Sequence, residues 1–281
     1  MVGHGRTRCD WRDTPAAQPG LPAAGGRPNG RPGRNAIIED VTLMVVLTTI
    51  VFDADETLID LRPAVTGGLV AVLEEMRQLT PAAADVSLAD LEADWAVVFG
   101  ESPAAPIIEI RRAALTRSLS RAGLDAHLDA IAALFFARRF ALTRPFPDVQ
   151  PALALLRDRW TLGFATNGNS RTERCGLAGE FAFELYAHEN GVPKKPAPEF
   201  YAAVVDAAGV PASRVVYVGD SLDHDVVAAQ RAGLRAVWLN RLALPCPAGV
   251  FPDGQVSTMA ELPSLLADLA GESSPDRSRV S

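Results

Sequence analysis

Cysteine is scarce in this chain. Its three copies, Cys9, Cys175 and Cys246, lie far apart and lack both the close pairs of a zinc site and the even count of a disulfide framework. They read as incidental thiols of a protein expected in the cytoplasm. A basic excess is also missing: 27 Lys and Arg stand against 34 Asp and Glu, for a formal net charge of -7. Clustered positive charge is what binds polyphosphate backbones and anionic lipid, so no nucleic acid and no membrane partner is expected. Long apolar runs are absent too. The best candidate, 41–52, is too short to cross a bilayer and stops at a carboxylate, so it reads as a buried strand. No internal repeat is visible.

The first 35 residues hold seven Gly, five Pro and six Arg, with no apolar periodicity and no continuous apolar core of the kind a secretory signal needs. A disordered tail is expected over 1–43, with the natural start at Met44, and a second polar tail over 272–281. Between them, short apolar runs alternate with helical patterns, the signature of an α/β fold with a parallel sheet. Strands are predicted at 47–53, 162–167, 183–188, 215–220 and 236–240. The stretch 59–147 is nearly all helical in pattern and too long for a crossover, so it is assigned to a helical cap inserted into a core of 44–58 and 148–271. Within it, Ser87 and Asp90 form a capping pattern, Pro106 opens a helix, and another helix runs over 125–142.

Chemistry concentrates at strand ends. The segment 50–58 is an apolar run that ends in Asp53 and Asp55, one residue apart. Two like charges at the end of a buried strand are costly unless a cation offsets them or one serves as a nucleophile. The second strand ends in Ala165-Thr166-Asn167-Gly168-Asn169-Ser170, which offers a hydroxyl and backbone N–H groups to an anion, although Ser170 also suits an N-cap. The segment 190–198 carries Lys194 and Lys195 before Pro196, and either could act as a fixed point charge. The fourth strand runs into Gly219-Asp220-Ser221-Leu222-Asp223-His224-Asp225. Its carboxylates suit a hard ion such as Mg2+, with Asp223 read as an N-cap and His224 as an exposed helix residue. In an open parallel sheet these ends converge on one crevice.

In this order the pieces resemble the four motifs of the haloacid dehalogenase-like (HAD) hydrolase superfamily: Asp53-Ala-Asp55-Glu-Thr57, Thr166, Lys195 before Pro196, and Gly219-Asp220 with Asp225. The likeness spans 46–270, and the insertion resembles the cap of the family's subfamily I. It implies a Rossmann-like core and Mg2+ dependence. Carried over, it makes Asp53 the nucleophile that forms an aspartyl-phosphate and Asp55 the acid and then base. Thr166, Asn167 and Lys195 hold the phosphoryl group. Asp53, the backbone carbonyl of Asp55, and Asp220 bind the metal, with Asp225 supporting the ion or the lysine. Two departures stand out: Glu56 where a glycine is common, and Lys-Pro-Ala-Pro where Lys-Pro-Asp-Pro is common.

Asp55 sorts the branches of the family. Dehalogenases of this type lack an acid two residues after the nucleophile, because halide leaves without a proton; phosphatases and phosphomutases have one. The reading is a Mg2+-dependent phosphatase of a small phosphorylated metabolite, such as a sugar phosphate, phosphoglycolate or nucleotide. A phosphomutase and a noncatalytic phospholigand-binding module are the alternatives. Arg62, Arg111, Arg112 and Trp95 lie in or near the cap, where the arginines read as solvated and the tryptophan as core. Oligomeric state is left open.

Overall fold

The computed structural model describes residues 46–271; both expected tails lie outside them. Six strands form one parallel sheet in the order β3-β2-β1-β4-β5-β6. They are β1 (Thr49–Phe52), β2 (Thr161–Thr166), β3 (Phe183–Tyr186), β4 (Val215–Gly219), β5 (Arg235–Leu239) and β6 (Gly254–Val256). All four residues of β1 are buried, as a central parallel strand covered on both faces requires. Alternation then divides its side chains. Ile50 and Phe52 pack with Phe164, Val218 and Leu153 on one face, whereas Val51 packs with Tyr217, Trp238 and Tyr201 on the other.

Five strands match the expected ones: each ends one or two residues before its predicted C-terminal bound, β1 begins two residues later than predicted, and β2 and β5 begin one residue earlier. β6 was not predicted. Three residues bounded by glycine and a polar turn carry too little apolar signal to mark a strand; its pairing with β5 creates it.

The insertion between β1 and β2 holds four long helices: α1 (Leu61–Leu79), α2 (Leu88–Glu101), α3 (Ile107–Arg121) and α4 (Leu128–Leu142). They enclose an apolar cluster of their own that includes Leu69, Val72, Met76, Leu115, Leu119, Ile131 and Phe135. The capping box at α2 is complete: Ser87 Oγ accepts from Asp90 N, and Asp90 Oδ2 accepts from Ser87 N. Pro106 occupies the N-cap position of α3. The helix predicted over 125–142 starts with a tighter turn, Asp125–His127, before α4 proper. Arg111 departs from the expectation of a solvated side chain. It is buried, with its guanidinium 4.0 Å from the Trp95 ring centroid and 4.7 Å from that of Phe135. Burial, with help from Arg139 and against Glu92, lowers it to about 10. Arg112 is exposed and pairs with Asp129.

The remaining helices cover the core sheet. They are α5 (Val149–Leu156), the short α6 (Thr172–Cys175), α7 (Pro198–Ala208), α8 (Ala228–Arg231) and α9 (Leu262–Leu269). A wider, π-type helical turn, Leu222–Val227, precedes α8. Its N-cap is Ser221, whose Oγ accepts from His224 N. The assignment of that cap to Asp223 is therefore corrected: the cap lies two residues earlier, at Ser221, and Asp223 lies inside the helical turn and exposed.

Glu56, the departure from glycine, keeps the turn at a cost. Its φ is +62°, in the left-handed region that costs a side-chain-bearing residue roughly 1–2 kcal/mol. The carboxylate offsets part of this by accepting from Arg62 N at 3.1 Å and pairing with Arg62 Nε at 3.3 Å. Glu56→Gly should therefore melt at the same temperature as the parent or higher, and Glu56→Val should melt lower. Differential scanning calorimetry of the two variants tests this order.

Candidate active site

Strand ends and one loop converge at the C-terminal edge of the sheet. Asp53 extends the β1 ladder by donating its N–H to the Val218 carbonyl at 2.9 Å, which seats it beside the end of β4. Thr166 ends β2, Asp220 follows β4, and Lys195 comes from the loop between β3 and α7. These four line a cavity of about 130 Å³ together with Asp55, Asn167 and Asp225. A larger cleft of about 860 Å³ shares Asp55, Asn167 and Gly168 with that cavity and reaches Phe99, Pro103 and Ile107 of the cap.

The two adjacent lysines separate clearly. Lys195 is 5% exposed, and its Nζ donates to Asp53 Oδ1 and to Asp225 Oδ1, both at 2.6 Å. Lys194 turns to the cap, where its Nζ donates to the carbonyls of Pro103 and Ala105 at 2.8 and 3.2 Å. Asn167 holds the lysine loop in place: its Oδ1 accepts from Lys195 N at 2.7 Å and its Nδ2 donates to Lys195 O at 3.0 Å. Its amide carbonyl and one N–H are thus engaged by backbone, while Asn167, expected among the groups that hold the phosphoryl, lines both the small cavity and the larger cleft. Thr166 Oγ1 accepts from Gly168 N at 2.9 Å, which leaves its proton to be donated elsewhere.

Two glycines make room for carboxylates. A methyl group at Gly219 would overlap the Asp225 carboxyl, and one at Gly168 would overlap Asp55 Oδ2. Ser170 is not the N-cap it resembles in sequence. The residue before α6 is Arg171, and Ser170 is buried, donating to Asp55 Oδ1 at 2.9 Å and accepting from Arg139 Nη2 at 2.7 Å. Arg139 is the inward member of an Arg138-Arg139 pair on α4. Nothing in the sequence singles it out, because either arginine could have faced the core.

The site carries more negative than positive charge. Burial pushes the Asp53 carboxyl well above the usual range; Lys195 pulls it back, while Asp225 and Asp220 push it further. Burial also lifts Asp220, to about 6, with Asp225 adding to the shift and Lys195 opposing it. Burial alone would lower Lys195, but the Asp225 and Asp53 carboxylates outweigh it and hold the ammonium well above its ordinary value. Three carboxylates thus surround one ammonium. Oxygens of Asp53, Asp220 and Asp225 lie within 4.8 Å of one another, a donor set that fits a hard divalent cation. Asp225 already accepts from Lys195 and, through Oδ2, from Ser221 N at 2.9 Å. Asp53 and Asp220 hold the freer oxygens. His224 is half-buried at the rim of this cavity instead of exposed. Cys175 is buried and its thiol is pushed up to about 11, which suits an unreactive side chain; Cys246 is exposed, and Cys9 lies outside the described residues. No helix among the described residues is long and apolar enough to cross a membrane.

A parallel α/β core with a helical cap and an acidic site at its strand ends defines a capped α/β hydrolase. The chain belongs to the haloacid dehalogenase-like hydrolase family, whose profile matches residues 47–233. It is 28% identical over 230 residues to 5-amino-6-(5-phospho-D-ribitylamino)uracil phosphatase YigB of Escherichia coli K12, covering 78% of this chain and 96% of that one. It is 32% identical over 165 residues to the glyceraldehyde 3-phosphate phosphatase of Methanopyrus kandleri, covering 54% and 70% of the two chains. Among solved structures, a 2-haloacid dehalogenase from Pseudomonas syringae pv. Tomato aligns with a TM-score of 0.67 at 33% identity, over 79% of this chain and 99% of that one.

The lifted Asp220 has a measurable consequence. A carboxyl whose folded-state pKa of about 6 exceeds its ordinary value of 3.8 binds its proton more tightly when folded. Its contribution is complete at low pH and is lost as pH rises through about 6. Asp220→Asn removes that loss, on the order of 3 kcal/mol at one pKa unit per about 1.4 kcal/mol. In chelator-treated protein the variant should melt several degrees above the parent near about pH 8 and match it near about pH 4. Added divalent cation should raise only the parent's melting temperature.

Proposed function

We propose that the chain hydrolyses small phosphate monoesters through an aspartyl-phosphate on Asp53. The observation that carries this reading is Asp55. Its carboxyl lines the same cavity as Asp53 and Lys195 and is held there by Ser170. An alkoxide leaving phosphorus needs a proton, whereas a halide leaving carbon does not. Asp55 therefore favours phosphoryl over haloacid chemistry, despite the likeness to a dehalogenase structure. The relatives named as phosphatases support the same choice.

In the first step an Asp53 oxygen attacks phosphorus and the bond to the leaving oxygen breaks. Asp55 gives that oxygen its proton, and an alcohol departs. In the second, Asp55 takes a proton from water, whose oxygen attacks the aspartyl-phosphate. The phosphorus bond to Asp53 breaks, inorganic phosphate leaves, and both carboxyls return to their starting states. Thr166 and Lys195 donate to the phosphoryl oxygens, and the cleft against the cap receives the rest of the substrate. Asp53, Asp220 and the backbone carbonyl of Asp55 would hold Mg2+, with Asp225 orienting Lys195 beside them. When bound, the ion supplies positive charge that offsets both the carboxylates and the phosphoryl oxygens.

Purified protein with Mg2+ should release phosphate from an aryl phosphate and from members of a metabolite monoester panel. Asp53→Asn should abolish this while melting as a folded protein. Asp55→Asn should lower the rate on alkyl esters by about 10²–10⁴-fold. Halide release from a chlorinated short carboxylic acid, without any phosphate release, would replace the reading with a dehalogenase. Retention of the phosphate on an isomerised sugar would make it a mutase.

A further inference from the structure

Arg139 sits on α4 of the cap, 3% exposed. Among the described residues its guanidinium makes one hydrogen bond, to Ser170 Oγ, and its Nη1 is buried without a partner. Its guanidinium stands 4.8 Å from the Phe140 ring centroid. The carboxylate whose charge it feels is Asp55. A buried arginine so lightly used within its own helical layer is aimed at the core.

Hydrogen-bond polarity gives this contact a direction. A guanidinium only donates, so Ser170 Oγ must accept from it. The single hydroxyl proton of Ser170 is then committed to Asp55 Oδ1, 2.9 Å away. That oxygen is an acceptor, and it cannot hold the proton on the side facing Ser170. The other oxygen, Oδ2, lies against Gly168, where the missing side chain leaves it space. Gly168 and Asp55 share the walls of both the small cavity and the large cleft.

We propose that Arg139 is a positioning residue: through Ser170 it keeps Asp55 Oδ1 as a hydrogen-bond acceptor and reserves Oδ2 for the proton exchanged with the leaving oxygen and then with water. This rests on the phosphatase reading and adds the residues that orient its acid and base. It also links two layers of the molecule. Arg139 belongs to the cap and Ser170 to the core, so Asp55 takes its working orientation only when α4 is seated beside α6.

Leaving-group dependence tests this, since an activated aryl phosphate departs without help and an alkyl phosphate needs the acid. Ser170→Ala and Arg139→Met should each lower kcat/KM for an alkyl phosphate by about tenfold or more and change that for a nitro-activated aryl phosphate by less than about threefold. Arg139→Lys, which also only donates, should recover part of the alkyl-ester rate. Equal losses on both esters, or no loss in Ser170→Ala, would overturn the assignment. Ser170→Ala decides the matter if Arg139→Met fails to fold. Parent protein that hydrolyses neither ester would instead overturn the phosphatase reading, and this inference with it.

Discussion

One ammonium group holds the centre of this molecule together. Lys195 Nζ is shared between Asp53 and Asp225, which come from segments 142 and 30 residues away in the chain. Removing it would leave two buried carboxylates facing each other, a change of the kind that costs roughly 3–5 kcal/mol. Its value lies less in net stability than in orientation, since the desolvation of a buried ion pair consumes most of its Coulombic gain. Much of the local architecture serves that placement. Asn167 clips both sides of the Lys195 backbone, Gly219 clears space for the Asp225 carboxyl, and Ser221 N holds its second oxygen. The order of the sheet, with β1 between β2 and β4, brings these pieces within reach.

The helical insertion encloses an apolar cluster of its own, and directional contacts tie it to the core near the site. Lys194 reaches the carbonyls of Pro103 and Ala105, and Arg139 reaches Ser170. Both are cations that leave the helical layer or the core loop to find neutral oxygens across the cleft.

Much of this was readable before any coordinates. Short apolar runs marked the strands, and the ordered set Asp53, Thr166, Lys195 and Asp220 marked one crevice, because parallel strands deliver their ends to the same edge. The apolar periodicity of α3 and α4 placed Ile110, Leu115, Ile131 and Phe135 inside. What escaped was whatever depends on direction. Ser170 and Asp223 look like caps in sequence, yet one turned inward to a carboxyl and the other fell inside a turn already capped by Ser221. Arg111 looks like solvated surface, but a helix face that packs on another helix takes its long side chains with it. β6 exists only because β5 offers it an edge.

The amino-acid order by itself determined the element types, the helical insertion, and which residue types stand at the strand ends, since these follow from local periodicity and from short-range spacing. It also carried the family, through motifs whose order survives without their geometry. Tertiary structure decided the pairings: Lys195 over Lys194, Asn167 as a clip, and Ser170 as the link between Asp55 and Arg139. The physical reason is that a hydrogen bond across a cleft depends on the positions of two segments far apart in the chain. No local propensity encodes which of two neighbouring side chains will point across it.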